Sequence, residues 1–258
     1  MPEVTTPYAT GTPCWVDLSA KDQQAALDFY QALFDWKFDV GPAELDGHAV
    51  CEVNGKAVAA IGPAMPSGEG MTQPPTAWIT YLASTDAEAT GAAIDAAGGT
   101  VLYPVADVAD RGRMLIAADP QGAVFGVWQP GKFSGAQVVN EPGSLSWSEL
   151  HTSDVPAAAA FYSEVFGIEM TLVEGLESEQ DMRVGGRTFG TITSVTLPDM
   201  SARWLPFIAV DDADASTDAL ARQGGMVLIP PSETRMGRTT VTADREGAAF
   251  AMIRPKSK

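Results

Sequence analysis

Two histidines, His48 and His151, are the whole imidazole supply of the chain, and one of them stands in a pattern that suggests chemistry. Trp147, Glu149 and His151 alternate along a segment that opens as a strand candidate from Leu145 to Leu150. Residues i, i+2 and i+4 of a strand share one face, so a large ring, a carboxylate and an imidazole point the same way. A carboxylate beside an imidazole is a general acid and base pair, because burial moves a carboxyl toward neutrality and histidine titrates nearby. The same residues also have a structural reading, with His151 ending the strand and Glu149 answering an arginine. An earlier segment repeats the spacing as Trp15, Asp17 and Ser19, which keeps the ring and the acid and loses the imidazole. Arg111, Arg113, Arg235 and Arg238 stand in hairpin-like stretches, suited either to gripping a ligand carboxylate or phenolate or to answering surface carboxylates. Cys51 lies in the strand-like run Ala49 to Val53, where His48 cannot readily activate it, and reads as an inert buried thiol.

The elements that position these residues are written twice. Trp15 recurs as Trp147 and Phe29-Tyr30 as Phe161-Tyr162, each 132 residues on. Trp78 returns as Trp204 and Gly98-Gly99 as Gly224-Gly225 at an offset of 126, and Asp119, Gly122 and Phe125 return as Asp244, Gly247 and Phe250 at 125. The shrinking offset places an insertion in the first copy, at the Pro- and Gly-rich segment Pro63 to Pro75. Residues 131–143 lack apolar periodicity and read as a linker between modules 1–130 and 144–258. Each copy opens with a strand, then an Asp fit to cap a helix (Asp22, Asp154) and a helix with apolar residues at helical spacing. A second strand and helix follow, stopped by Gly-Gly, and then hairpins joined by a turn at Asp119-Pro120-Gln121-Gly122 or its counterpart.

With 258 residues, 45% of them apolar and 19% charged, the chain is long enough for two cored modules and too apolar for disorder. A net charge of −17 repels phosphate backbones and anionic lipid, so nucleic acid and membrane surfaces are not expected partners. Residues 1–14 show neither a basic n-region nor an apolar h-region, and Cys14 and Cys51 are too few for a disulfide framework; a cytoplasmic location is expected. Phosphate-loop, nucleotide-fingerprint, nucleophile-elbow and His-Glu-x-x-His motifs are all absent from the sequence.

The order of strand, capping Asp, Phe-Tyr helix, Gly-Gly stop and Asp-Pro-Gln-Gly turn, given twice, resembles the glyoxalase, bleomycin-resistance and extradiol dioxygenase superfamily, the vicinal oxygen chelate proteins. The resemblance covers nearly the whole chain. It implies an α+β fold of tandem modules, with four βαβββ motifs forming two curved, cup-like sheets. It also implies metal positions, and there the sequence departs. Trp15 and Trp147 stand where metal-dependent members place a first-strand His, Gly126 and Ala251 where they place the closing Glu, and Trp78-Ile79 and Trp204-Leu205 near a further ligand His. No metal and no other cofactor is therefore expected.

Two functions follow as expectations. In one, metal-free cups lined by Trp15, Asp17, Trp78, Tyr81, Met114, Trp147, Trp204, Phe207 and Arg238 bind a small aromatic or natural-product ligand, as bleomycin-resistance-like members do. Large rings suit planar ligands, and Met114, Met182 and Met236 would make the walls adaptable. In the other, Glu149 and His151 are acid and base of a metal-independent hydratase, isomerase, cyclase or hydroxylase-like enzyme of secondary metabolism. A metal-dependent glyoxalase or dioxygenase is the third and weakest fit. The partner in each case is a small molecule, with the chain a monomer or a homodimer.

Overall fold

The computed structural model describes residues 3–41, 47–64, 76–194 and 201–256. Its first module runs β1 (Pro13–Ala20), α1 (Gln23–Phe34), β2 (Lys37–Val40), β3 (Ala49–Val53), β4 (Lys56–Pro63), β5 (Ala77–Ala83), α2 (Ala87–Ala96), β6 (Thr100–Val108), β7 (Gly112–Ala118) and β8 (Val124–Pro130). The second repeats it as β9 (Leu145–Thr152), α3 (Val155–Phe166), β10 (Glu169–Val173), β11 (Leu176–Val184), β12 (Arg187–Ser194), β13 (Arg203–Ala209), α4 (Ala213–Arg222), β14 (Met226–Glu233), β15 (Gly237–Ala243) and β16 (Ala249–Pro255). The inferred insertion lies, beyond residues 63 and 64, outside the described residues. No helix among the described residues is long and apolar enough to cross a membrane.

Each module makes one open eight-stranded sheet, in the orders β2-β3-β4-β1-β5-β8-β7-β6 and β10-β11-β12-β9-β13-β16-β15-β14. The two βαβββ motifs of a module therefore pair with each other, joined where β1 runs antiparallel to β5 and β9 to β13. Local chemistry fixes the helices. Asp22, Asp86, Asp154 and Asp212 each take an extended N-cap conformation and accept a first-turn backbone N–H. Pro156 sits in the first turn, where its missing donor costs nothing. Gly98 and Gly224 leave α2 and α4 at φ 86° and 83°, a left-handed conformation that favours glycine.

Two of the apolar clusters lie on the helix faces of the sheets, and they join the modules. One cluster combines Leu18, Tyr30, Trp36 and Trp78 with Leu220, Phe250 and Met252; the other combines Ile94, Leu115 and Phe125 with Leu150, Tyr162 and Trp204. Tyr30 lies edge-on to Phe250 at 5.5 Å, and Tyr162 to Phe125 at 5.6 Å. The Tyr30 hydroxyl donates to Asp244 of the other module at 3.0 Å, and Tyr162 donates to Asp119 at 3.2 Å. Each of these aspartates also holds its own turn, accepting backbone N–H groups of residues two and four positions on. Glu246 reaches across as well and accepts the backbone N–H of Lys21 and of Asp22, each at 3.0 Å, beside the positive N-terminal end of α1.

Residues 131–143 are ordered against the first module. Ala136 N–H donates to Cys14 O at 2.7 Å, Gln137 N–H to Ala57 O at 2.8 Å, and the Tyr8 hydroxyl to Ala136 O at 2.7 Å. Phe133 and Ala136 of this strap pack on the cup face, opposite the helices, with Trp15 and Trp128, while Val138 joins the helix-side core and Gly143 O accepts the Trp36 indole N–H at 2.8 Å.

Candidate functional site

Alternation on the central strands decides what enters each cup. On β1, Val16, Leu18 and Ala20 join the helix-side core, which turns Trp15, Asp17 and Ser19 to the cup. Tyr81 lies directly across from Trp15 and brings its hydroxyl to 3.9 Å from the Met114 sulfur. Asp17 meets an imidazole after all: His48 Nε2 is 3.3 Å from its carboxylate. The His48 ring passes over Gly62, where an added Cβ would come within 2.2 Å of it. Gly62 is the cross-strand partner of Ser19, so His48, which stands just before β3, reaches across β4 to the acid that His151 meets within one strand in the second copy. The other end of this cup is closed by the strap. Phe133 stands edge-on to Trp15 at 4.9 Å and to Trp128 at 6.0 Å, and the Trp128 indole donates to Phe133 O at 2.9 Å.

The second cup is more polar. Trp147, Glu149 and His151 share its floor, facing Phe207, Leu205 and Arg203 across β13 and, beside the last two, Thr191 and Thr193 on β12. His151 Nε2 is 3.0 Å from Glu149 Oε2, and the two side chains are 15% and 18% exposed. Arg235 enters from the β14–β15 turn, pairs with Asp181, donates to Thr191 Oγ1 at 2.7 Å, comes within 3.9 Å of Glu179 and lies over the Trp147 ring at 5.8 Å. Burial holds the Glu179 carboxyl above its ordinary range; Arg235 opposes this, while the charges of Glu149 and Asp181 add to it. A cavity of about 610 Å³ opens at one end, between Tyr8 and the N-terminal arm, Trp147, and the β11–β12 turn. Neither Glu149 nor His151 lines it; they stand further along β9.

Several expected ligand-wall residues belong elsewhere. Trp78 and Trp204 point to the helix face, where their indoles donate to Tyr30 and Tyr162 at 3.0 and 2.9 Å. A spacing of three from Tyr81 and Phe207 puts them on the opposite side of the strand, so both are core, not cup. Arg238 also faces away from the cup: it pairs with Asp214 on α4 and lies 3.7 Å from Glu233. Arg113 likewise answers Glu88 and Asp107 at the surface. Met182 is fully buried in the helix-side core, while Met236 packs with Trp147 and Phe207. Burial raises the Cys51 thiol well above its ordinary value.

The metal positions implied by the resemblance are filled by rings. At Gly126 an added Cβ would meet the Tyr81 ring at 2.2 Å, so no closing carboxylate fits there. In the second module Phe207 lies across from Ala251, whose methyl group offers no ligating atom. Among the described residues no group of three or more His, Cys, Asp or Glu is arranged to hold a metal ion. The residues do not fit the metal.

Sequence reasoning missed His48, Phe133, Glu179 and Asp181. A glycine at a cup-facing strand position, Gly62, was the available sign of a close approach; Phe133, a lone aromatic in an aperiodic segment, offered no pattern.

Two open mixed sheets built from paired βαβββ motifs, each with a cup facing away from its helices, define a tandem-module member of one superfamily. The chain belongs to the glyoxalase/bleomycin resistance protein/dioxygenase superfamily, whose sequence profile matches residues 14–127 and again 144–252. It is 39% identical over 254 residues to the glyoxylase-named protein CFP32 of Mycobacterium tuberculosis, covering 96% of each chain. It is 34% identical over 265 residues to the anthracycline biosynthesis protein DauV of a Streptomyces species, covering 96% of this chain and 94% of that one. Solved structures share the fold: the 2,3-dioxygenase LapB from Pseudomonas sp. KL28 at a TM-score of 0.65 and 12% identity (98% and 94% covered), and the Mn(II)-bound glyoxalase from Novosphingobium aromaticivorans at 0.62 and 17% (95% and 82% covered).

Proposed function

We propose that this chain binds a small, planar aromatic or natural-product ligand in the second cup without the help of a metal. The observation that carries the reading is the partly buried Trp147, which borders a cavity of about 610 Å³ and leads along one strand to a hydrogen-bonding pair, Glu149 and His151. A volume in this range suits a small molecule, and Tyr8, Trp147 and Phe189 give it aromatic borders among polar side chains such as Thr12, Asn140 and Thr188. The rings at the superfamily's metal positions support a metal-free mode. Relatives named for anthracycline biosynthesis support a place in secondary metabolism.

A second reading, acid and base catalysis, draws on a specific feature: Glu149 lies 3.0 Å from His151, and Asp17 and His48 make a matching pair in the first cup. Proton transfer by a positioned pair contributes about 10²- to 10⁴-fold in rate. Incubation of the pure protein with a metabolite extract of its host, followed by filtration and release, tests both. A captured compound of unchanged mass and retention supports binding. A compound altered in mass or retention, with the alteration reduced about 10²-fold or more in His151→Ala, establishes catalysis. Capture of nothing refutes the binding reading.

A further inference from the structure

The two cups differ most at their tryptophans. Trp15 is 7% exposed and carries the Phe133 ring edge-on at 4.9 Å. Its counterpart Trp147 is only partly buried; Phe207 adjoins it across β13, but among the described residues no ring stands edge-on to it as Phe133 does to Trp15. The Phe133 ring is held as a ligand would be. Trp15 and Trp128 meet it edge-on, and the Arg111 guanidinium lies over it at 5.7 Å. Its backbone is tied down by the Trp128 indole and by Phe133 N–H donating to Arg111 O at 3.0 Å. Further along, the strap is anchored by Ala136, Gln137 and the bridge between Glu3 and Val138. So many fixed bonds leave the ring no easy exit. In the second cup Trp147 packs on one side with Met236, Phe207 and Ile253, carries the Arg235 guanidinium over its indole, and borders the cavity of about 610 Å³ on the side of Tyr8 and Phe189.

We propose that Phe133 is a built-in occupant of the first cup, and that it marks the seat which a single aromatic ring of the ligand takes against Trp147 in the second. The inference rests on the binding reading above and adds two things to it. The ligand presents one six-membered aromatic ring to an apolar floor, and each chain holds one such ring, not two. Aromatic pairs of this geometry gain energy beyond their buried area, which explains why an internal phenylalanine keeps the first seat filled.

A single-ring phenol, p-cresol, tests this in the full-length protein, because the indole N–H of each tryptophan gives its own NMR signal. Trp15 and Trp147 are assigned with Trp15→Phe and Trp147→Phe. In the wild type, p-cresol should shift the Trp147 signal in a saturable way and leave Trp15 still. In Phe133→Ala both signals should shift, and in Phe133→Tyr only Trp147 should. Phe133→Leu replaces the alanine variant if the latter does not fold. A saturable shift of Trp15 in the wild type overturns the proposal, as does a silent Trp15 in a folded variant lacking the ring. Silence at Trp147 does the same, even if the metabolite capture recovers a ligand, in which case the binding reading survives alone. If capture recovers nothing while p-cresol gives the expected pattern, the seat stands and the broader function falls.

Discussion

Tyr81 and Gly126 meet in one contact at a position where the superfamily resemblance implies a metal ligand. The ring lies where a side chain at 126 would begin, at 2.2 Å from an ideal Cβ. Because Tyr81 is buried and backed by Met114, it has little room to yield. Gly126→Ala should therefore act as overpacking and cost about 1–3 kcal/mol of stability, measured by urea unfolding. A neutral result would mean that the ring moves freely, and that the metal position is open to a side chain. The histidines make the related point for the polar groups. His151 was legible because it shares a strand face with Glu149; His48 was not, because its meeting with Asp17 depends on β3, β4 and β1 lying side by side, which no local pattern states.

Among elements, α3 and β13 are tied by a chain of buried hydrogen bonds, from the Trp204 indole to the Tyr162 hydroxyl and on to Asp119. Tyr162→Phe leaves both a buried N–H and a buried carboxylate oxygen without this partner, and should cost about 1–3 kcal/mol. Trp204→Phe should add clearly less in the Tyr162→Phe background than in the wild type, by more than about 0.5 kcal/mol in a double-mutant cycle. Full additivity would show that the chain is not a unit. These same residues explain how the repeat was readable while its meaning was not. Phe161-Tyr162, Trp204 and Asp119 recur at regular offsets because each copy needs them. Recurrence alone does not say that the tyrosine of one copy serves the aspartate of the other. The assignment of Trp78 and Trp204 to the cup failed on strand parity, since a residue three positions from a cup residue faces the core.

For the whole molecule, the two aspartates at the module boundary set a pH response. Burial raises the carboxyls of Asp119 and Asp244 above their ordinary range, against the lowering effect of the hydrogen bonds they accept. An unfolded aspartate releases its proton near pH 4, and the folded carboxyls release theirs at a higher pH. Their contribution is thus complete at lower pH and is lost as pH rises through the raised native values. The stability of the wild type minus that of Asp119→Asn/Asp244→Asn should fall as pH rises from about 4 to 7. Urea unfolding across that range reads the difference, and a flat difference would remove the argument.

The shared cores also bear on synthesis. The apolar side of α1, with Phe29 and Tyr30, is covered in part by Leu220, Phe250 and Met252, which lie near the other end of the chain. A polypeptide emerging from the ribosome in N- to C-terminal order has made every strand of its first sheet long before those residues exist. The early half must then wait with a greasy helix uncovered, a state prone to aggregation that chaperones exist to shelter. Completion of β16 closes both halves together.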